Sequence, residues 1–135
     1  MEIVKFQFPT FKSEVGALSF LETEDHIPFP IRRVYYIYDV PGDSRRGFHA
    51  HKDLQQVLIC IHGSCKILMD NGTEKETVLL DNPGEGLLIE NTIWREMYDF
   101  SPGAVLLVLA SQHYDPADYI HDYDEFLAFV KENEA

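Results

Sequence analysis

Basic side chains are scarce in this sequence: 11 lysines and arginines stand against 23 acidic residues, a formal net charge of −12. Nucleic acid and anionic membrane surfaces both demand a basic footprint, so neither is expected as a partner. Cysteine is nearly absent, with only Cys60 and Cys65. Five residues of extended chain would put these two on opposite faces. No mutual bridge is therefore expected, and buried free thiols in a reducing, cytoplasmic compartment are the better account. No apolar run approaches the ~20 residues that cross a bilayer. The start, Met1-Glu2-Ile3-Val4-Lys5-Phe6, lacks the basic stretch and long apolar run of a signal peptide. No repeat, low-complexity tract or linker divides the chain, so residues 1–135 read as one domain. That length buries a core without help from disulfides or metal.

What is present is aromatic and strand-like. Phe, Trp and Tyr make up 13% of the chain, which suits strands or a lined pocket. Short apolar runs recur between Gly, Pro, Asn and Asp: Ile3–Phe8, Ala17–Glu22, Arg33–Tyr38, Gln56–Ile61, Cys65–Met69, Lys75–Leu80, Gly86–Glu90, Trp94–Asp99 and Val105–Ala110. Asp70-Asn71-Gly72 predicts a tight type I′ hairpin turn. A helix is expected only at the end, capped by Asp118 or Asp122 and running through Lys131, with Tyr123, Phe126, Leu127 and Val130 on one face. The expected class is all-β: a small antiparallel β-barrel or jelly roll with a short C-terminal helix, wide enough to hold one small ligand.

The few arginines are unevenly placed. Arg32, Arg33, Arg45 and Arg46 crowd into 15 positions, and Arg95 is the fifth. Two readings stand side by side: a site for an anionic small molecule, or a solvated edge strand with charged gatekeepers. Directly after the cluster comes Arg46-Gly47-Phe48-His49-Ala50-His51. Alternate side chains of a strand share a face, so His49 and His51 point the same way, as the start of a metal site or an acid–base pair.

The spacing around the pair resembles the first motif of the cupin superfamily. That motif runs Gly, five residues, His-x-His, three or four residues, Glu, six residues, Gly. Here four residues lead from His51 to Gln56 and six more to Gly63. The second cupin motif resembles Leu88–Met97, with Arg95 where a His is expected. Metal-binding cupins take two His and one Glu from the first motif and one His from the second. A neutral amide is a poor transition-metal ligand and a protonated guanidinium is none, so no metal and no cofactor are expected.

A narrower resemblance covers nearly the whole chain. Ile27–Ile37, Arg46–Lys52, Gln56-Val57-Leu58, Gly63-Ser64-Cys65, Trp94-Arg95-Glu96-Met97, Val108–Ser111, Tyr114-Asp115 and Asp118-Tyr119-Ile120 resemble the sugar nucleotide 3,4-ketoisomerases, small cupins acting on dTDP-4-keto-6-deoxy-D-glucose. The resemblance implies an isomerase that moves the ketone from C4 to C3 through an enediol. Its products are precursors of 3-amino-3,6-dideoxy sugars for bacterial surface glycans such as lipopolysaccharide and S-layer glycans. It implies His49 and His51 as the catalytic pair, with His51 the first choice for the proton-abstracting base. Arg95 would contact sugar oxygens or stabilise the enediolate, against the plainer reading of a surface ion pair with Glu96 or Glu90. Arg33 and Arg46 would bind the diphosphate and Tyr35 would line the pocket, while Arg32 and Arg45 would face solvent. His26, His62, His113 and His121 are read as structural or surface residues. A homodimer paired through N-terminal strands is implied as well. Arg95 leans the product toward the gluco configuration, although Val15 fits neither the gluco nor the galacto pattern. A dTDP-sugar 3,5-epimerase is the competing enzyme, but it carries a His–Asp dyad with a facing Tyr, which the sequence does not place. A non-catalytic sugar-nucleotide-binding cupin is the competing module, and a metal-dependent dioxygenase is disfavoured by Gln56 and Arg95.

Overall fold

The computed structural model describes residues 1–134. Among them the strands are β1 (Lys5–Gln7), β2 (Thr10–Ser13), β3 (Gly16–Ser19), β4 (Arg33–Ile37), β5 (Arg46–His51), β6 (Gln56–His62), β7 (Cys65–Asp70), β8 (Lys75–Leu80), β9 (Glu85–Ile89), β10 (Trp94–Tyr98), β11 (Val105–Ala110) and β12 (Tyr119–Ile120). A 3-10 turn over Pro116–Asp118 precedes β12, and helix α1 (Tyr123–Glu132) follows it. The strands form two five-stranded sheets, ordered β1-β9-β6-β11-β4 and β12-β5-β10-β7-β8, while β2 and β3 pair only with each other. All pairings between these strands are antiparallel. This is the small β-barrel of jelly-roll type, with a short C-terminal helix, that the sequence predicts.

The burial of β6 shows how the layers stack. Leu58 and Cys60 point between the sheets, where they meet Ile67, Leu87, Leu106 and Val108. Val57 and Ile59 point to the outer side, where Phe8, Ile27 and Phe29 of the N-terminal segment cover them. A strand covered on both faces reads as a continuous apolar run, and Gln56–Cys60 is fully buried. Burying one such Leu or Ile side chain contributes roughly 1.5–3 kcal/mol. Helix α1 covers the outer face of the second sheet, packing Phe126 against Ala50, Trp94 and Ile120. Asp122 caps it by accepting from Glu125 N at 3.0 Å, and Lys131 stands in its last turn.

Three local expectations are corrected. Cys60 and Cys65 do not lie on opposite faces: the chain reverses between them at Gly63 (φ 71°), so both free thiols enter the same core. The turn after Asp70 is a four-residue loop, because Asp70 pairs with Lys75. Gly72 has a positive φ there, and the Asn71 side chain closes the loop by accepting from Thr73 N and Glu74 N. The alternative helix cap, Asp118, turns into the barrel instead.

Candidate active site

The first sheet ends at β4 and the second at β12 and β5, and a cavity of about 560 Å³ lies between these edges. That volume suits a small-molecule ligand. Along β4, Arg33, Tyr35 and Ile37 turn inward and line the cavity, while Val34 and Tyr36 are exposed, Tyr36 still bordering the cavity. Both readings of the arginine cluster thus meet in one strand, since β4 is an edge strand whose inner face carries Arg33. The Arg33 guanidinium lies over the rings of Tyr35 (5.3 Å) and Tyr114 (5.6 Å). Its Nε and Nη2 are buried without a protein partner, an arrangement that leaves donors for a ligand. Arg46 is exposed and lines the mouth. Arg32 is exposed; Arg45 is spent on Glu96 at 2.6 Å and lies over the Tyr98 ring.

Strand β5 reaches the cavity through a bulge. Opposite it on β10, Arg95 pairs with His49 and Glu96 with Gly47, so Phe48 is the extra residue. Gly47 and Phe48 both have positive φ, 93° and 56°. Arg46 and His49, three apart, would face opposite ways on a regular strand. With one residue extruded, both line the cavity. Only glycine fits at 47: a Cβ there would lie 2.8 Å from the Arg95 carbonyl oxygen and 3.2 Å from Glu96 Cα.

His49 and His51 do share a face, their rings 5.0 Å apart and nearly perpendicular. Their settings differ. His49 lines the cavity, and its Nδ1 donates to the Gly47 carbonyl at 3.1 Å, which leaves the Nε2 lone pair free. His51 is fully buried; its Nδ1 bonds Asp118 Oδ2 at 3.0 Å, and its Nε2 has no protein partner. Burial and the neighbouring Arg95 charge lower the His49 pKa to about 4. The same two causes hold His51 well below the usual imidazole range. Both rings are neutral at pH 7 and able to accept a proton.

Arg95 is not a surface ion-pair partner. It is 1% exposed, beneath the residues that line the cavity. Its Nη1 donates to Gln56 Oε1 and its Nη2 to the Ile93 carbonyl at 3.0 Å, and burial lowers its pKa only to about 10, so it stays charged. Gln56 Nε2 in turn donates to Tyr35 Oη at 2.8 Å. Among the described residues no group of three or more His, Cys, Asp or Glu side chains is arranged to hold a metal ion.

Three residues of this site were missed. Asp118 holds His51 and also accepts from Asp53 N at 2.9 Å. Tyr119, paired with His51 across β12 and β5, places its ring 4.4 Å from that of His51 and lines the cavity. His121 stacks on Tyr119 at 5.4 Å, its ring 6.1 Å from that of His49, so it is not remote from the pair. The dyad that the sequence does not place is therefore present as His51–Asp118. Alternation gives a shared face only to Tyr119 and His121; Asp118, in the 3-10 turn before β12, carries no such signal.

The family model described as "FdtA: WxcM-like, C-terminal" matches residues 1–131. The TDP-4-oxo-6-deoxy-alpha-D-glucose-3,4-oxoisomerase of Aneurinibacillus thermoaerophilus is 45% identical over 130 residues, covering 96% of this chain and 94% of the relative. The chain belongs to the FdtA-type family of cupin-like sugar 3,4-ketoisomerases. Two solved members of that family match closely. A histidine-to-asparagine mutant of the 3,4-ketoisomerase QdtA from Thermoanaerobacterium thermosaccharolyticum, in complex with TDP-4-keto-6-deoxyglucose, is 44% identical. It superposes with a TM-score of 0.95 over 97% of this chain and 95% of its own. The WlaRB TDP-quinovose 3,4-ketoisomerase of Campylobacter jejuni is 47% identical, with a TM-score of 0.89 over 93% of this chain and 97% of its own.

Proposed function

We propose that this ketoisomerase acts on TDP-4-keto-6-deoxyglucose and moves its ketone from C4 to C3, with His49 as the proton carrier. The observation that carries the reading is the neutral His49, the member of the pair that lines the cavity, its Nε2 free. The C4 carbonyl acidifies the C3 hydrogen. His49 Nε2 takes that proton, the C–H electron pair becomes the C3–C4 double bond, and the carbonyl electrons pass to the C4 oxygen. The proton of the C3 hydroxyl passes to the C4 oxygen; the C3 oxygen's electrons then form the new carbonyl as the double-bond pair takes a proton at C4, with no net gain or loss of protons or electrons. Such a transfer by a placed side chain is worth about 10²–10⁴-fold.

The other residues have supporting tasks. The unpartnered Arg33 donors and Arg46 at the mouth take the diphosphate. Tyr35 donates to the enediolate oxygen, and the buried Arg95 charge stabilises the anion from behind His49. His51, held by Asp118, backs His49 instead of being the first base, since it is fully buried and does not line the cavity. Gln56 and Arg95 are spent on each other and offer no ligand beside the pair, so turnover is expected to persist in EDTA. The product carries the gluco configuration; Arg95 and the 47% identity to a TDP-quinovose enzyme support this.

The test is incubation with TDP-4-keto-6-deoxyglucose in D₂O with EDTA, followed by NMR of the sugar ring. A 3-keto product labelled at C4 is expected, and an untouched 4-keto sugar would refute the reading. The His51–Asp118 pair with the adjacent Tyr119 favours one second reading, the 3,5-epimerase. That enzyme would exchange C3 and C5 hydrogens without moving the ketone.

A further inference from the structure

We propose that Gln56 is a positioning residue that sets the direction of the hydrogen bond at Tyr35, keeping the phenol proton for the cavity. This rests on the ketoisomerase reading above. Gln56 is 1% exposed at the start of β6, and its amide bridges two residues of the site. Oε1 accepts from Arg95 Nη1, and Nε2 donates to Tyr35 Oη at 2.8 Å.

The orientation of this amide is dictated by chemistry. A guanidinium has five N–H donors and no acceptor, so the amide oxygen must face Arg95. Arg95 cannot turn away without losing its 3.0 Å bond to the Ile93 carbonyl. The amide nitrogen therefore faces Tyr35, and the phenol oxygen accepts from it. The phenol's own proton is left for the cavity that Tyr35 lines. A carboxylate at position 56 would accept from both neighbours, drawing the phenol proton inward and removing a donor from the sugar oxygens. This gives Gln56 a task that the Glu of a metal-binding cupin would not perform. It also links Arg95 to Tyr35 through a single side chain, so the charge of one and the donor direction of the other are set together.

Gln56→Glu keeps the size of the side chain and its pairing with Arg95 while reversing the second bond. It is expected to lower kcat by on the order of 10²-fold, with KM within about threefold of wild type. Tyr35→Phe should lose about as much, and the double variant no more than the worse single one. A Gln56→Glu enzyme within about threefold of wild-type kcat, or losses that multiply in the double variant, would overturn the proposal. Should Gln56→Glu fail to fold, Gln56→Asn, whose amide is too short to bridge, is expected to show the same kcat loss and the same non-additivity. A wild-type protein that leaves the ketone in place would instead defeat the assigned reaction. The clamp is then judged on the unliganded protein by [13Cζ]tyrosine NMR at neutral pH. The Tyr35 resonance should move downfield in Gln56→Glu as the phenol turns to donate to a carboxylate, and an unmoved resonance overturns the clamp.

Discussion

At the scale of single residues, the chemistry of His49 is set by what surrounds its ring. Burial and the Arg95 charge depress its pKa from 6.5 to about 4, so the folded protein binds fewer protons than the unfolded chain between those values. Stability from this group is complete above pH 6.5 and is lost as pH falls toward 4. Thermal melts should accordingly show Tm dropping across that window, and less so in His49→Asn. The acid limb of kcat/KM is expected near pH 4–5 for the same reason, and a limb near 6.5 would place an unperturbed histidine in the base role. Asp118 makes a different prediction. Removing it leaves His51 buried with neither ring nitrogen partnered, so Asp118→Ala should lower kcat by about 10-fold or more while sparing TDP affinity. The sequence shows the residue types at this scale but not their contacts. His49 and His51 are legible from two-residue alternation, whereas Asp118 lies 67 residues away and meets His51 only once the chain folds.

Among the elements, β5 does the positioning. Its bulge is what brings Arg46 and His49 to one cavity, and it depends on Gly47, where added atoms would strike the backbone of β10. Gly47→Ala should destabilise the protein by about 1–3 kcal/mol from backbone strain alone and lower turnover further by displacing His49. A thermal melt and an assay on the folded fraction check both. Alternation predicts which side chains of β4 turn inward, because that strand is regular. The same rule holds from His49 to His51 on β5 but fails between Arg46 and His49, where the bulge shifts the period and only Gly47 hints at it. The sequence does not mark β12 or β2, since two residues make too short a pattern and β2 is exposed at every position, whereas β3 overlaps the expected run Ala17–Glu22. Helix α1 was legible because its apolar stripe and the Asp122 cap agree.

For the whole molecule, the uncovered hairpin of β2 and β3 bears on assembly. Phe11, Leu18 and Val15 are 64%, 60% and 97% exposed, an apolar arm without cover from the rest of the chain. A homodimer formed through this arm is expected, and light scattering should give about twice the 15.6 kDa of the chain. Phe11→Ser with Leu18→Ser should shift the protein toward monomer. The proposed reaction turns on one side chain at the cavity, His49. The direct measurement is turnover of His49→Asn on TDP-4-keto-6-deoxyglucose, with TDP affinity measured by calorimetry on the same sample. Turnover should fall by about 10³-fold or more while TDP affinity stays within about threefold of wild type. A His49→Asn enzyme that still moves the ketone at a rate near wild type would contradict the account.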